Sequence, residues 1–195
     1  MAKKTWMTRA AGVLLPVSSL PSKYGVGTFG QAAREWVDFL ARAKQRYWQV
    51  LPLGPTSFGD SPYQSYSAFA GNPLFIDLQE LCNAGLLKKG RCKRTPWGGD
   101  PSYVDYDTVR AGRDQLLRRA FSHFQHFRVL ERFRKRNKFW VEDYALYMAL
   151  KEKMDGRPWP EWEEGLRLRD PETLEVWKKR CKEEVDYHVF TQYLF

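Results

Sequence analysis

Two short apolar runs flank a longer amphipathic segment near the start of the chain. Residues 11–17 (AGVLLPV) and 48–53 (WQVLPL) each have the length and character of a buried strand. Between them, residues 31–44 carry apolar side chains at spacings of three and four, which predicts a helix with one broad apolar face. Thr28 is a candidate cap for this helix. The order strand, loop, helix, strand predicts a right-handed βαβ unit with a parallel sheet.

The pattern becomes helical after about residue 107. Before that point, Asp77 and Glu80 form a capping-box pattern that opens a short helix, and residues 88–104 are interpreted as an irregular excursion because they carry prolines and glycines. Further helices are predicted near residues 108–127, 129–137, 140–154 and 171–195, with a break at 156–160. A mainly helical insertion of roughly 110 residues after a strand is far longer than a usual connection, and such insertions build lids or binding grooves.

Residues 60–73 (DSPYQSYSAFAGNP) have no regular apolar period. They combine turn formers, hydroxyl groups, an amide and aromatic rings, and they follow the second predicted strand. Ligands of open α/β sheets and of closed barrels bind at the carboxyl ends of parallel strands. We therefore interpret this stretch as an ordered loop with a binding function.

Composition and charge place the chain among globular proteins. Its 195 residues, 43% of them hydrophobic, are enough for the core of one domain or slightly more. The net charge of +9 is concentrated between Arg110 and Lys138, where apolar residues at helical spacing put the basic side chains on the opposite, solvated face of a helix. No recognised nucleic-acid motif accompanies this charge, so a nucleic-acid partner ranks far below the other hypotheses.

The sequence argues against a membrane span, a secretion signal and a metal site. No run approaches the roughly 18 apolar residues of a membrane span, and residues 1–6 become polar too early for a secretion signal, so we predict a cytoplasmic protein without a membrane partner. Three irregularly spaced cysteines predict reduced thiols and no metal cage. His123 and His126 lie one turn apart but lack a third ligand, so exposed helix residues are the better interpretation.

A glycine pattern, Gly25-x-Gly27-x-x-Gly30, matches the dinucleotide-binding fingerprint literally. In that fingerprint the first glycine directly follows a strand, whereas here residues 16–24 intervene. No acidic residue closes the second predicted strand either. We interpret the match as a false positive.

Four motifs together resemble a known enzyme family. They are LPVSSLP (15–21), YGVG (24–27), WQVLPLGP (48–55) and DSPYQSYSAFAGNP (60–73), and they resemble the amino-terminal part of amylomaltase, the 4-α-glucanotransferase also called disproportionating enzyme. DYALY (143–147), the pair Trp159 and Trp162, and FTQY (190–193) are similar to the insertion of that family and its return to the barrel. The resemblance extends from about residue 11 to residue 195, and the loop motif is its most specific part.

The resemblance implies an α/β fold, namely an incomplete (β/α)8 TIM barrel with a large, mainly helical insertion after strand 2. Residues 1–76 would begin the barrel with its first two strands and first helix, residues 77–185 would form the insertion, and residues 186–195 would return to a barrel helix. It further implies transfer of α-1,4-glucan segments between malto-oligosaccharides by a retaining double displacement, without an organic cofactor or a metal. The catalytic carboxylates of the family lie on later strands, so we expect no catalytic residue here and an inactive 195-residue chain. The alternative is a catalytically inactive glucan-binding fragment.

The resemblance also assigns substrate-binding residues. Tyr63 matches a tyrosine that lines the donor side of the cleft, where its ring can lie against a glucose; the alternative is a tyrosine packed under its own loop. Ser61 is expected to contact a sugar through its hydroxyl. Asp60 and Gln64 either bind glucose hydroxyls or fix the loop, since Asp before Ser-Pro is good turn chemistry. Phe58 stands where some relatives carry a tyrosine of a secondary glucan-binding site.

Overall fold

The computed structural model describes residues 9–100 and 102–195, and the side chain of Phe58 lies outside the described part. In these residues, strands β1 (Gly12–Leu14) and β2 (Tyr47–Gln49) form a two-stranded parallel sheet in which Val13 lies opposite Trp48. Helix α1 (Gln31–Arg42) connects the strands, as predicted. Each strand has three residues and is shorter than the apolar run that predicted it.

The predicted Thr28 cap of α1 is wrong, because the Thr28 side chain bonds Asp77 and not the start of the helix. Gly30 occupies the cap position of α1, and the Thr28 hydroxyl donates to Asp77 Oδ2 at 2.5 Å. Asp77 Oδ1 accepts the backbone N–H of Glu80 at 3.0 Å, which caps helix α2 (Leu78–Asn83) as predicted. The Glu80 carboxylate pairs with Arg34 of α1. Asp77 and Glu80 therefore join the starts of two helices.

The remaining helices are α3 (Lys89–Arg94), α4 (Tyr106–His123), α5 (Phe127–Arg136), α6 (Val141–Lys153), α7 (Glu164–Arg167), α8 (Pro171–Arg180) and α9 (Lys182–Leu194). The predicted helices near 108–127, 129–137 and 140–154 correspond to α4, α5 and α6. Three details differ from the prediction. The stretch 88–104 contains the short helix α3, α7 was not anticipated, and the predicted helix 171–195 is divided at Cys181 into α8 and α9.

Helix α9 links the cores of the chain. Phe190 is fully buried in a cluster with Leu78 of α2 and Leu116 of α4, whereas the preceding Val189 is fully buried in a second cluster with Ala149 of α6. Consecutive residues point to different faces of a helix, so α9 packs on both sides. A third cluster, which includes Val17, Val26, Ala33 and Leu74, lies under the β1–β2 unit.

The basic segment is not wholly solvated, which corrects the interpretation of its charge. Arg113 of α4 is 1% exposed, and its guanidinium donates to the carbonyl oxygens of Ile76 at 2.8 Å and of Tyr24 at 3.5 Å. Burial lowers the pKa of Arg113 to about 10. Arg134 of α5 pairs with Glu142 and Asp186. These long-range partners are invisible in the local pattern of the segment.

Among residues 9–100 and 102–195, none of the helices has the length and apolar character that crossing a membrane requires.

Candidate functional site

The loop after β2 holds its shape through its own backbone. Thr56 and Ser65 form an isolated antiparallel bridge, and the Ser57 N–H donates to the Gln64 carbonyl at 3.0 Å. At the tip, the Gln64 N–H donates to the Ser61 carbonyl at 3.1 Å, and Ser61 Oγ accepts the Tyr63 N–H at 3.3 Å. These hydrogen bonds agree with the expectation of an ordered loop, because they restrict the backbone conformations that residues 56–65 can adopt.

Helices α4 and α9 anchor the two ends of this loop. Asp60, in the left-handed region at φ 54°, pairs with Arg110 of α4, and its Oδ1 accepts the Thr56 hydroxyl at 3.3 Å. At the other end, Gln192 of α9 accepts the Gly71 N–H at 2.8 Å and donates to the Gly71 carbonyl at 3.0 Å. The contacts of Asp60 favour the loop-fixing alternative for this residue.

Aromatic contacts attach the middle of the loop to the helical part of the chain. The Phe69 ring meets the Phe139 ring edge-on, with centroids 5.1 Å apart, and lies 6.4 Å from the Trp140 ring. Tyr66 lies 6.0 Å from Tyr147 of α6. Pairs of this geometry each stabilise a contact by about 0.5–1.5 kcal/mol beyond the area that they bury.

The tip of the loop presents Tyr63 and Gln64 to solvent. The Tyr63 side chain is 73% exposed, which rules out the alternative of a ring packed beneath its own loop. Gln64 is exposed as well, and Ser61 and Asp60 are half-buried behind the tip. The Phe58 side chain falls outside the described part of the structure. Four of the five expected substrate-binding residues thus lie in one continuous turn, with an exposed ring and an exposed amide available to a ligand.

A cavity of about 930 Å³ lies between the loop and helices α4, α6 and α9. Its rim includes Ser57 and Tyr66 of the loop, Arg110 of α4 and Lys151 of α6. Hydroxyl and charged groups around such an opening provide donors and acceptors for a polyhydroxylated ligand. A second cavity of about 90 Å³ is lined by Asp60 and Ser18.

A charged network forms the far wall of the large cavity. Arg118 of α4 bonds Asp114 and Glu152, both at 2.9 Å, and Glu152 Oε1 lies 2.9 Å from Nε2 of His188 on α9. The Tyr187 hydroxyl donates to Asp114 at 2.8 Å, and burial raises the pKa of Tyr187. Burial by itself raises the pKa of Glu152, but the bonds to His188 and Arg118 outweigh this effect and lower it.

The glycine-rich loop before α1 serves close packing. A Cβ added at Gly27 would lie 2.0 Å from the Val17 carbonyl oxygen, and the Gly27 N–H donates to the Ser18 carbonyl at 3.1 Å. Only a residue without a side chain permits this approach. The spacing of glycines that imitates a nucleotide-binding fingerprint therefore has a structural cause in this fold.

Other candidates from the sequence lie away from the loop tip. Trp162 is 6% exposed and its ring lies 5.5 Å from that of Tyr147, so it is a packing residue. Trp159 is 47% exposed and borders a separate cavity of about 370 Å³. His123 Nδ1 lies 3.1 Å from the Leu86 carbonyl oxygen.

Two anchoring residues escaped the sequence analysis. Arg110 belongs to the basic segment, and nothing in its local pattern distinguishes it from its solvated neighbours. Gln192 did carry a signal, because it is an amide within the otherwise apolar stretch VFTQYLF. A buried amide needs hydrogen-bond partners, so this position predicts a polar contact without saying where the partner lies.

Comparison with known proteins identifies the family. The sequence model of the family described as 4-alpha-glucanotransferase matches residues 15–195. The chain belongs to the 4-alpha-glucanotransferase family. It is 47% identical over 193 residues to the 4-alpha-glucanotransferase of Streptococcus pneumoniae serotype 4, covering 96% of this chain and 38% of that protein. It is 45% identical over 199 residues to the enzyme of Thermus thermophilus, covering 97% and 38%.

A solved structure of the 4-alpha-glucanotransferase family has the same backbone. The amylomaltase from Streptococcus agalactiae, in complex with acarbose, superposes with a TM-score of 0.92 at 40% sequence identity, covering 96% of this chain and 39% of that one. The family resemblance seen in the sequence motifs is confirmed. The chain spans about 38% of the length of the curated relatives that it matches.

Proposed function

We propose that this chain is part of a 4-α-glucanotransferase that transfers α-1,4-glucan segments between malto-oligosaccharides by a retaining double displacement. The observation that carries the proposal is the family match over residues 15–195, combined with an ordered loop that exposes Tyr63 and Gln64 at its tip. The related amylomaltase whose structure contains acarbose supports a sugar ligand. The proposed protein is cytoplasmic and needs no organic cofactor.

In this proposal the chain supplies the first part of a (β/α)8 barrel. Residues 1–76 begin the barrel, residues 77–185 form the helical insertion, and residues 186–195 return to a barrel helix. The parallel pairing of β1 with β2 through α1 supports the first assignment. Gln192 of α9 bonds Gly71, and the Phe195 ring lies 6.0 Å from the Phe29 ring, which supports a return of the chain to its first segment.

The loop residues act as one wall of the glucan cleft. The Tyr63 ring stacks on the apolar face of a glucose unit, and Ser61 and Gln64 bond its hydroxyl groups. Asp60, held by Arg110, keeps the turn in place. A retaining transfer needs one carboxylate as nucleophile and another as acid and base. We assign neither role to a residue of this chain, and we propose that the 195 residues alone are inactive.

Disproportionation of maltotriose by the product of the complete reading frame tests this function. We expect glucose and longer glucans to appear, and Tyr63→Ala to lower kcat/KM by about tenfold or more, because a lost stacking contact of about 1.4 kcal/mol corresponds to one decade. Tyr103→Ala is the matched control, since Tyr103 is 74% exposed and lies outside the loop. Absence of transfer in the unsubstituted protein, or equal effects of both substitutions, would contradict the proposal.

The second candidate is a glucan-binding fragment without catalysis. One feature favours it. Every site residue that we assign in this chain has a role in substrate binding, and none is a catalytic carboxylate. The two candidates differ in the product of the complete reading frame. Malto-oligosaccharide binding without any glucose release from maltotriose supports the fragment, and glucose release excludes it.

A further inference from the structure

Two of the three cysteines lie side by side. Cys82 of α2 and Cys92 of α3 have their Sγ atoms 3.8 Å apart. Cys82 is half-buried at the surface, whereas Cys92 is completely buried. The third cysteine, Cys181, is also completely buried but belongs to the separate core of α6 and α9. All three thiols are free.

The surroundings of Cys92 hold this pair together. Its carbonyl oxygen accepts the Trp97 Nε1–H at 2.9 Å, and the Trp97 ring packs against Tyr24 at 5.7 Å. Arg113 lies over the same ring, 5.8 Å from its centroid. A disulfide needs its sulfur atoms about 2.05 Å apart, so the two thiols have to approach by less than 2 Å. Such an approach requires side-chain rotation and a small shift of α2 and α3, which are each six residues long.

We propose that Cys82 and Cys92 form an oxidisable dithiol site, which a low-molecular-weight disulfide such as oxidised glutathione converts to an intramolecular disulfide. The Cys82 thiolate, formed by loss of its proton to water, attacks one sulfur of oxidised glutathione and expels glutathione thiolate, leaving a mixed disulfide on Cys82. The Cys92 thiolate then attacks the Cys82 sulfur and expels the second glutathione thiolate. The two cysteines lose two electrons and two protons, and two glutathione molecules are formed.

Exposure decides which cysteine reacts first. Cys82 is the one that a solute reaches, so it is attacked first and Cys92 resolves the mixed disulfide. Burial raises the pKa of the Cys92 thiol, and this effect remains when Cys82 carries glutathione and no charge. Because only the thiolate attacks, ring closure accelerates as the pH rises.

The disulfide would tie α2 to α3, and the neighbouring Arg113 is among the residues that line the cavity of about 930 Å³. Arg113, which lies over Trp97, holds the Ile76 carbonyl at the end of the segment that follows the loop. The inference depends on the thiol geometry alone and is independent of the proposed transferase function.

Peptide mapping by mass spectrometry without reductant tests the site. The folded protein is incubated with oxidised glutathione and digested, and we expect a peptide pair joined through Cys82 and Cys92. Cys92→Ser is expected to accumulate glutathione on Cys82, Cys82→Ser to abolish both products, and Cys181→Ser to leave the joined pair unchanged. Glutathione retained on Cys82 in the unsubstituted protein, or a bond from Cys82 to Cys181 or to another molecule, would overturn the proposal.

The pH dependence of ring closure gives a second readout. In the folded protein the rate is expected to rise with pH and to level off at a higher pH than in urea, because burial raises the pKa of Cys92. In urea the rate is expected to level off near the ordinary pKa of a cysteine, about 8.5. A rate that levels off at the same pH in both conditions would contradict a buried resolving thiol.

Discussion

Gly27 illustrates how single residues fix the loops around the candidate cleft. A Cβ there would lie 2.0 Å from the Val17 carbonyl oxygen and 2.8 Å from the backbone nitrogen and oxygen of Leu20. Because these neighbours are backbone atoms, Gly27→Ala has to displace the turn that they form. We expect a loss of about 2–3 kcal/mol in the free energy of unfolding, measured in urea.

Gly99 is the control for this residue-scale prediction, because a Cβ added there meets nothing within 4 Å. Gly99→Ala is expected to change stability by no more than about 0.5 kcal/mol. Equal effects of the two substitutions would show that the close approach at Gly27 does not exist. The sequence alone marked Gly27 as part of a possible nucleotide fingerprint, and only the position of Val17 in space reveals its packing role.

At the scale of elements, the charged network joins α4, α6 and α9. The pKa of Glu152 lies below its ordinary value of 4.5, because the bonds to His188 and Arg118 outweigh burial. A carboxylate with a lowered folded-state pKa contributes stability above the ordinary pKa, and this contribution is lost as the pH falls through the folded-state value. Glu152→Gln is therefore expected to cost about 1 kcal/mol at pH 7, a value reduced for partial exposure.

The difference between Glu152→Gln and the unsubstituted chain should shrink as the pH falls below about 4.5, and it should vanish once the native carboxylate is protonated as well. Urea unfolding at several pH values measures it. Glu161→Gln, on an exposed turn before α7, is the control and is expected to leave the pH profile unchanged. A stability difference for Glu152→Gln that stays constant from about pH 7 to about pH 3 would contradict the network.

Helix positions were largely predictable, whereas their partners were not. Periodicity places α1, α4, α5 and α6, because an apolar stripe is a local property of the sequence. The division at Cys181 and the short helix α3 escaped prediction, since tertiary packing decides short elements and breaks. The burial of Arg113 escaped for a similar reason: its partners Ile76 and Tyr24 are distant in sequence.

At the scale of the whole molecule, the loop of residues 60–73 follows the β1–β2 unit and is bonded to the helical part of the chain. Gln192 reaches Gly71 across 121 positions of the sequence, and Arg110 reaches Asp60 across 50. The motif of the loop was sufficient to indicate the family and the candidate residues. These long-range anchors were not predictable, because no local pattern encodes which distant residue meets the loop. They explain why Tyr63 stands exposed on an ordered turn.

The central claim, that this loop binds α-1,4-glucans, is tested most directly by calorimetric titration of a malto-oligosaccharide into the 195-residue chain. The measurement compares the unsubstituted chain with Tyr63→Ala and with Tyr103→Ala. The account predicts binding that weakens by about tenfold or more in Tyr63→Ala and persists unchanged in Tyr103→Ala. Absence of binding, or binding that both variants retain equally, would contradict it.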